Sequence, residues 1–212
     1  MASSGLAAFA PLGALAAVTP GYSENAEPEA PFLALFPLGI VAFPGERLLL
    51  HIFEPRYRQL IAECAENGIR FGIVTIVPGG ASSIGTEMEL DRILRSDDSG
   101  TMDVATRGIR AFRLRSFQPA VEGKLYSEGL VSYIKNDGRI EPETESALVQ
   151  LYNRRRYRSG SRQQLAAPYP ENLSFLIGHD LGLSLAQELQ LLTLPAEHDR
   201  QSYLFQHLLR MQ

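Results

Sequence analysis

A chain of 212 residues, 45% apolar and 21% charged, is long enough to bury a substantial core and has the composition of an ordinary globular protein. Its formal charge of −4 leaves no broad basic field: residues 1–30 carry Glu24, Glu27 and Glu29 without a base, residues 31–140 hold 13 acidic and 13 basic groups, and residues 141–212 hold 8 and 7. That balance argues against nucleic acid as the main partner, and the single cysteine, Cys64, excludes an internal disulfide and a Cys-based zinc site.

Residues 1–30 are rich in Ala, Gly and Pro, and Met1–Glu24 contains no Lys or Arg, so the charged start of a secretory signal is missing. A flexible tail is expected there. No run reaches the ~18–20 apolar residues that span a bilayer, no membrane partner is expected, and the cytoplasm is the default location.

Residues 31–138 read mostly as strands. Leu33–Tyr57 holds two of them, punctuated by Pro37, Pro44 and Gly45. Leu48–Phe53 is apolar at alternate and intervening positions alike, which predicts a strand covered on both faces with His51 in the interior. Pro55 suits the first turn of a helix that Gly68 then caps. Phe71–Val77 is β-branched and ends at Pro78-Gly79-Gly80. Thr86, Met88 and Leu90 alternate with Glu87, Glu89 and Asp91, the pattern of a strand with one wet face. Asp97-Asp98-Ser99-Gly100 predicts a hairpin turn, Gly108 a bulge or bend, and Ser127–Ile134 a further strand.

Residues 139–212 read as helices. Pro142 opens one that carries Leu148, Leu151 and Tyr152, and Ser159-Gly160-Ser161 breaks or bends it. Asn172–Gly182 forms a short helix, Ser184 with Gln187 makes a capping-box pattern for the next, and Pro195 leads into the last.

The chemistry-bearing residues form no recognisable catalytic set. Gly80–Thr86 has the spacing of a phosphate loop but lacks its lysine and the helix that should follow. A Ser/Lys dyad would need Lys124 or Lys135, both at turn or strand edges. His51, His179, His198 and His207 show no metal-ligand spacing, and no metal or cofactor is expected. The run Arg154-Arg155-Arg156-Tyr157-Arg158 is either a phosphate or RNA contact with Tyr157 stacking on a base, or a solvated helix face balanced by Glu141, Glu143 and Glu145.

One stretch resembles a known family. Residues 35–61, LFPLGIVAFPGERLLLHIFEPRYRQLI, resemble the opening of the amino-terminal, substrate-binding domain of Lon proteases. Phe71–Val74, Ile84-Gly85-Thr86, Arg107–Leu114 and the helical stretch Asn172–Leu209 are similar to later parts of it. The resemblance covers about residues 31–210 and implies an α+β fold: a PUA-like β pseudobarrel with one embedded helix, followed by a C-terminal helical bundle. The chain ends at Gln212 without room for the family's ATPase and protease domains, so it resembles a stand-alone Lon-domain protein.

Its implied function is non-catalytic recognition of unfolded or extended polypeptides, with a protease as a possible partner. An RNA- or nucleotide-binding module and a hydrolase with an unrecognised site are the alternatives. Candidate binding residues are Phe36 and Phe43, as lining of an apolar groove, and Glu54, Arg56, Tyr57 and Arg58, as a recognition surface. Each has a structural counterpart: core packing for the aromatics, and for Glu54 support of a helix N-terminus.

Overall fold

The computed structural model describes residues 31–211; the expected tail over residues 1–30 lies outside the described residues. The elements in chain order are β1 (Phe32–Leu38), β2 (Arg47–Ile52), α1 (Pro55–Asn67), β3 (Phe71–Val77), β4 (Gly80–Ser96), β5 (Met102–Gln118), β6 (Ser127–Tyr133), α2 (Pro142–Arg158), α3 (Leu173–Asp180), α4 (Leu185–Thr193) and α5 (Glu197–Arg210).

The expected pseudobarrel is corrected to a mixed α+β fold built on one six-stranded sheet. Its strand order is β2-β5-β4-β3-β1-β6. β1 and β3 run parallel, which their separation by β2 and α1 permits, and the other pairings are antiparallel. The sheet curls far enough for β6 to meet the distal half of β5, Phe112–Gln118, as well as β1. A closed barrel has no edges. Here, among the described residues, β2 pairs only with the proximal half of β5, and its other side is unpaired.

The local signals act as their chemistry requires. Pro55 occupies the first turn of α1, and Gly68 caps it at φ +64° with its N–H on the Cys64 carbonyl. The Ser184 N–H donates to Gln187 Oε1 at 2.9 Å to close the capping box of α4. Gly108 sits at a register shift, where Glu87 faces Arg110 and Met88 faces Gly108.

Two expectations about the strands fail. β2 is not covered on both faces: Arg47, Leu49 and His51 are exposed, Leu49 at 74%. An unbroken apolar run cannot reveal which face is wet, and His51 stands outside the core, with Nδ1 2.7 Å from Asp103 Oδ1. Glu87, expected on a wet face, is buried. The side chains of Arg110 and of Tyr133, the last residue of β6, reach it: its carboxylate accepts from Arg110 Nε at 2.8 Å and from the Tyr133 hydroxyl at 2.6 Å, while the Arg110 guanidinium lies 3.3 Å from the Tyr133 ring centre. Burial, then the bond to Glu87, pushes the Tyr133 phenol up.

One core lies between the sheet and α1, around Ile52, Leu60, Ile61, Phe71 and Met88. A second joins the four later helices to the sheet: Leu148, Ile177, Leu191 and Leu204 pack with Val41, Phe43, Ile84 and Ala111. At its margin, the Nε2 of His207 is buried without a partner among the described residues. Burial, then Arg155 and Arg210, depress the pKa of this imidazole. The unfolded chain therefore takes up the proton first as pH falls below ~6.5, and stability drops until the folded pKa is reached. Thermal midpoints between about pH 7 and about pH 5 should fall less steeply in His207→Gln than in wild type. Equal slopes would assign the acid sensitivity to other groups.

Candidate functional site

The most distinctive surface lies where β2 begins. The turn Phe43-Pro44-Gly45-Glu46 has proline at its second position and Gly45 at φ +84° at its third, a backbone value that glycine adopts without strain. The Phe43 N–H donates to Glu46 Oε2 at 2.9 Å, and the Glu46 N–H returns to the Phe43 carbonyl at 3.1 Å. Gly108 pins the turn to β5: its N–H donates to the Glu46 carbonyl and its carbonyl accepts from the Gly45 N–H, both at 2.8 Å.

Beneath the turn, Phe43 stacks on Phe175 of α3 with ring centres 5.1 Å apart and planes at 19°. The two rings, 1% and 4% exposed, form the buried floor of a mainly apolar groove of about 340 Å³, whose exposed apolar wall is Leu176 and Pro170 and whose rim carries Glu46 and Glu171 as well as Arg47 and His179. His179 Nδ1 lies 3.3 Å from Glu46 Oε1 across this rim. The groove opens beside the first residue of β2. From there the strand carries Leu49 outward, and Phe53, 62% exposed, follows its last residue. The His51 ring sits between these two, 5.9 Å from that of Phe53.

The residues singled out from sequence are placed differently from one another. Phe43 is in the groove floor. Phe36 is buried in the sheet–α1 core, its ring 3.9 Å from that of Tyr57. Tyr57 is buried too, which pushes its phenol up, and the Arg56 guanidinium lies 4.6 Å from its ring centre. Arg56 pairs with Glu54 at 2.7 Å at the head of α1, and Arg58 donates to the Ser99 carbonyl, tying α1 to the β4–β5 turn. None of Glu54, Arg56, Tyr57 and Arg58 lines the groove.

The arginine run occupies the last turns of α2, where the helix dipole favours cations. Glu143 and Glu145 lie in the first turn, too far along the helix to balance it as expected. Arg156 is held by the Tyr152 hydroxyl and Asp180, at 2.9 and 3.1 Å. Arg154, Arg155 and Arg158 line a shallow hollow with Leu151, Leu208 and Met211.

Nucleophile chemistry finds no support in these surroundings. Burial, then Glu63, pushes the Cys64 thiol up to about 12, far from a reactive thiolate. Lys124 is held in its charged form by Glu63 at 2.5 Å, the reverse of what a lysine base needs. Among the described residues, no group of three or more His, Cys, Asp or Glu is gathered to hold a metal, and no helix is long and apolar enough to cross a membrane.

Sequence reasoning missed Leu49, Phe53, Arg47, Leu176 and His179. Their apolar or charged character was visible. What gathers them into a candidate site is the unpaired edge of β2 and the approach of α3 to the 43–46 turn, both products of long-range packing.

Comparison with solved structures places the fold among known ones. The Lon N-terminal domain protein from Xanthomonas campestris shares 26% identity with this chain, with a TM-score of 0.64 over 83% of this chain and 98% of that one. The N-terminal domain of the Mycobacterium avium complex Lon protease, at 14% identity, has a similar fold, with a TM-score of 0.63 over 84% of this chain and 98% of that one. The family model of the ATP-dependent protease La (LON) substrate-binding domain matches residues 33–210. The chain therefore belongs to the LON substrate-binding domain family, a family of non-catalytic modules.

Proposed function

We propose that this protein recognises polypeptides, binding unfolded or extended segments at the β2 edge and its adjoining groove. The observation that carries the reading is the exposure of Leu49 on β2 and of Phe53 just after it, at 74% and 62%, beside a strand edge that no described residue pairs with. Large apolar side chains so exposed are a loss in water unless a partner covers them. The family supports the reading, since its matched domain is named for substrate binding in a protease. A protease is accordingly the natural recipient of captured segments.

Affinity is modest, because ordering a flexible ligand offsets much of the contact energy. In fluorescence anisotropy, reduced carboxymethylated α-lactalbumin should bind and the native, disulfide-intact form should not. Leu49→Asp combined with Phe53→Asp alters only exposed positions, so it should fold normally. It should weaken binding about tenfold or more, the equivalent of ~1.4 kcal/mol of lost apolar contact. Equal binding of the native and unfolded forms, or an unaffected double variant, would reject the reading.

A further inference from the structure

We propose that the bound polypeptide adds to β2 as an extra antiparallel or parallel strand, placing an acidic residue beside Arg47 and one large apolar side chain in the groove of Phe43 and Phe175. This rests on the polypeptide-binding reading and specifies how the ligand is held.

The backbone makes the first part of the case. β2 and β5 pair through six consecutive positions, Arg47↔Arg107 to Ile52↔Met102, with no register shift. In such a ladder every second residue turns its N–H and C=O away from the partner strand. No backbone hydrogen bond joins the outer side of Arg47–Ile52 to any described residue. Sheet edges are ordinarily blunted by proline, lysine, a bulge or a covering segment. The sequence RLLLHI contains neither proline nor lysine, and its pairing has no bulge. A row of unpaired donors and acceptors at strand spacing is complementary to another extended backbone, and that match tolerates varied side chains.

Charge identifies the kind of segment. Arg47 and Arg107 are directly opposite each other, a like-charged cross-strand pair that is unfavourable by itself. Arg107 is compensated by Glu89 and Asp91, at 3.4 and 3.6 Å. Arg47 has no acidic partner among the described residues. An acidic residue on the incoming strand supplies one. β2 itself carries no such residue for a second copy to offer, because residues 47–52 contain no Asp or Glu. Arg47 also rims the groove, so a strand running past it passes the opening. At about 340 Å³ the groove is at the small end for ligand sites and suits one side chain rather than a folded partner.

The test uses the full-length protein and the peptide Glu-Leu-Thr-Phe-Thr-Val, with two analogues N-methylated at alternate residues in opposite phases. Methylation in the phase that faces β2 removes donors without changing side chains and should weaken binding about tenfold; the other phase should bind like the parent. Hydrogen exchange of alternate β2 amides should slow on peptide addition. Replacing the peptide's Glu by Lys should weaken binding several-fold, and Arg47→Glu in the protein should restore it. Equal binding of parent and both analogues would overturn strand addition while leaving polypeptide recognition standing. Failure of the peptide and of unfolded α-lactalbumin alike would overturn both. A dimer by sedimentation that Leu49→Pro dissociates would assign the edge to self-association and overturn the proposal.

Discussion

Arg200→Ala is expected to lower the unfolding free energy by about 3–5 kcal/mol, the range for breaking a buried ion pair from one side. Arg200 and Glu197 are both essentially inaccessible, with side chains 2% and 1% exposed, and lie 2.8 Å apart one turn along α5. The guanidinium also donates to Ser174 Oγ at 2.9 Å, to the Leu194 carbonyl at 2.8 Å and to Asn136 Oδ1 at 2.7 Å. One side chain thereby joins α3, the α4–α5 link and the segment after β6. Its removal strands the Glu197 carboxylate in the interior, still accepting from the Ser174 N–H and hydroxyl but without a countercharge. Truncation would also remove the cation that lies 4.5 Å from the centre of the Phe175 ring. Equilibrium urea unfolding measures the loss. Arg200→Met with Glu197→Met should cost less than Arg200→Ala alone, because the charge and its partner leave together. A loss below about 1 kcal/mol for Arg200→Ala would mean that water reaches the vacated site and solvates Glu197. Since Phe175 floors the groove, the same variant should weaken peptide binding at concentrations of urea where it remains folded.

Nothing in the local pattern distinguishes Arg200 from an exposed helical arginine, and this marks the boundary of what the sequence discloses. Signals that act within a few residues were legible. Pro55 and Gly68 bracket α1, the Ser184–Gln187 pair opens α4, and Asp97–Gly100 turns β4 into β5, because each satisfies or terminates backbone groups of its own neighbours. Burial was legible only where the apolar residues alternate. The run Leu48-Leu49-Leu50 conceals its wet face, and the alternation of Glu87 with Thr86 and Met88 suggested water where Arg110 and Tyr133 instead reach the carboxylate. The candidate site shares this limit. Phe43 was identifiable as an aromatic beside a proline turn. Phe36 and Tyr57 carry the same local signature and end in the sheet–α1 core, whereas Phe43 ends in the helical core under the groove, and only the chain's return through β5 and α3 separates the three.

Gly108→Ala is the substitution that tests whether the turn and the groove are one unit. Its φ is not in the left-handed region, so the constraint is space rather than backbone conformation. A β-carbon at this position would stand 2.1 Å from the Phe43 carbonyl oxygen, 3.0 Å from its carbon and 3.3 Å from the Pro44 Cα. All three are backbone atoms and cannot swing aside as a side-chain tip would. The turn must back away from β5, stretching the bonds from Gly108 N–H to Glu46 and from Gly45 N–H to Gly108. Overpacking of ~1–3 kcal/mol and two weakened hydrogen bonds of ~0.5–1.5 kcal/mol each give an expected loss of about 2–6 kcal/mol. Gly39→Ala is the control: beyond its chain neighbours no atom of the described residues lies within 4 Å of its β-carbon, and its φ is not in the left-handed region, so it should change stability by less than about 0.5 kcal/mol. Because Phe43 and Pro44 travel with the turn, the part of Gly108→Ala that remains folded should also bind the peptide several-fold more weakly than the Gly39→Ala protein. Undiminished affinity would place the apolar anchor outside the groove and leave the β2 edge to hold the ligand alone.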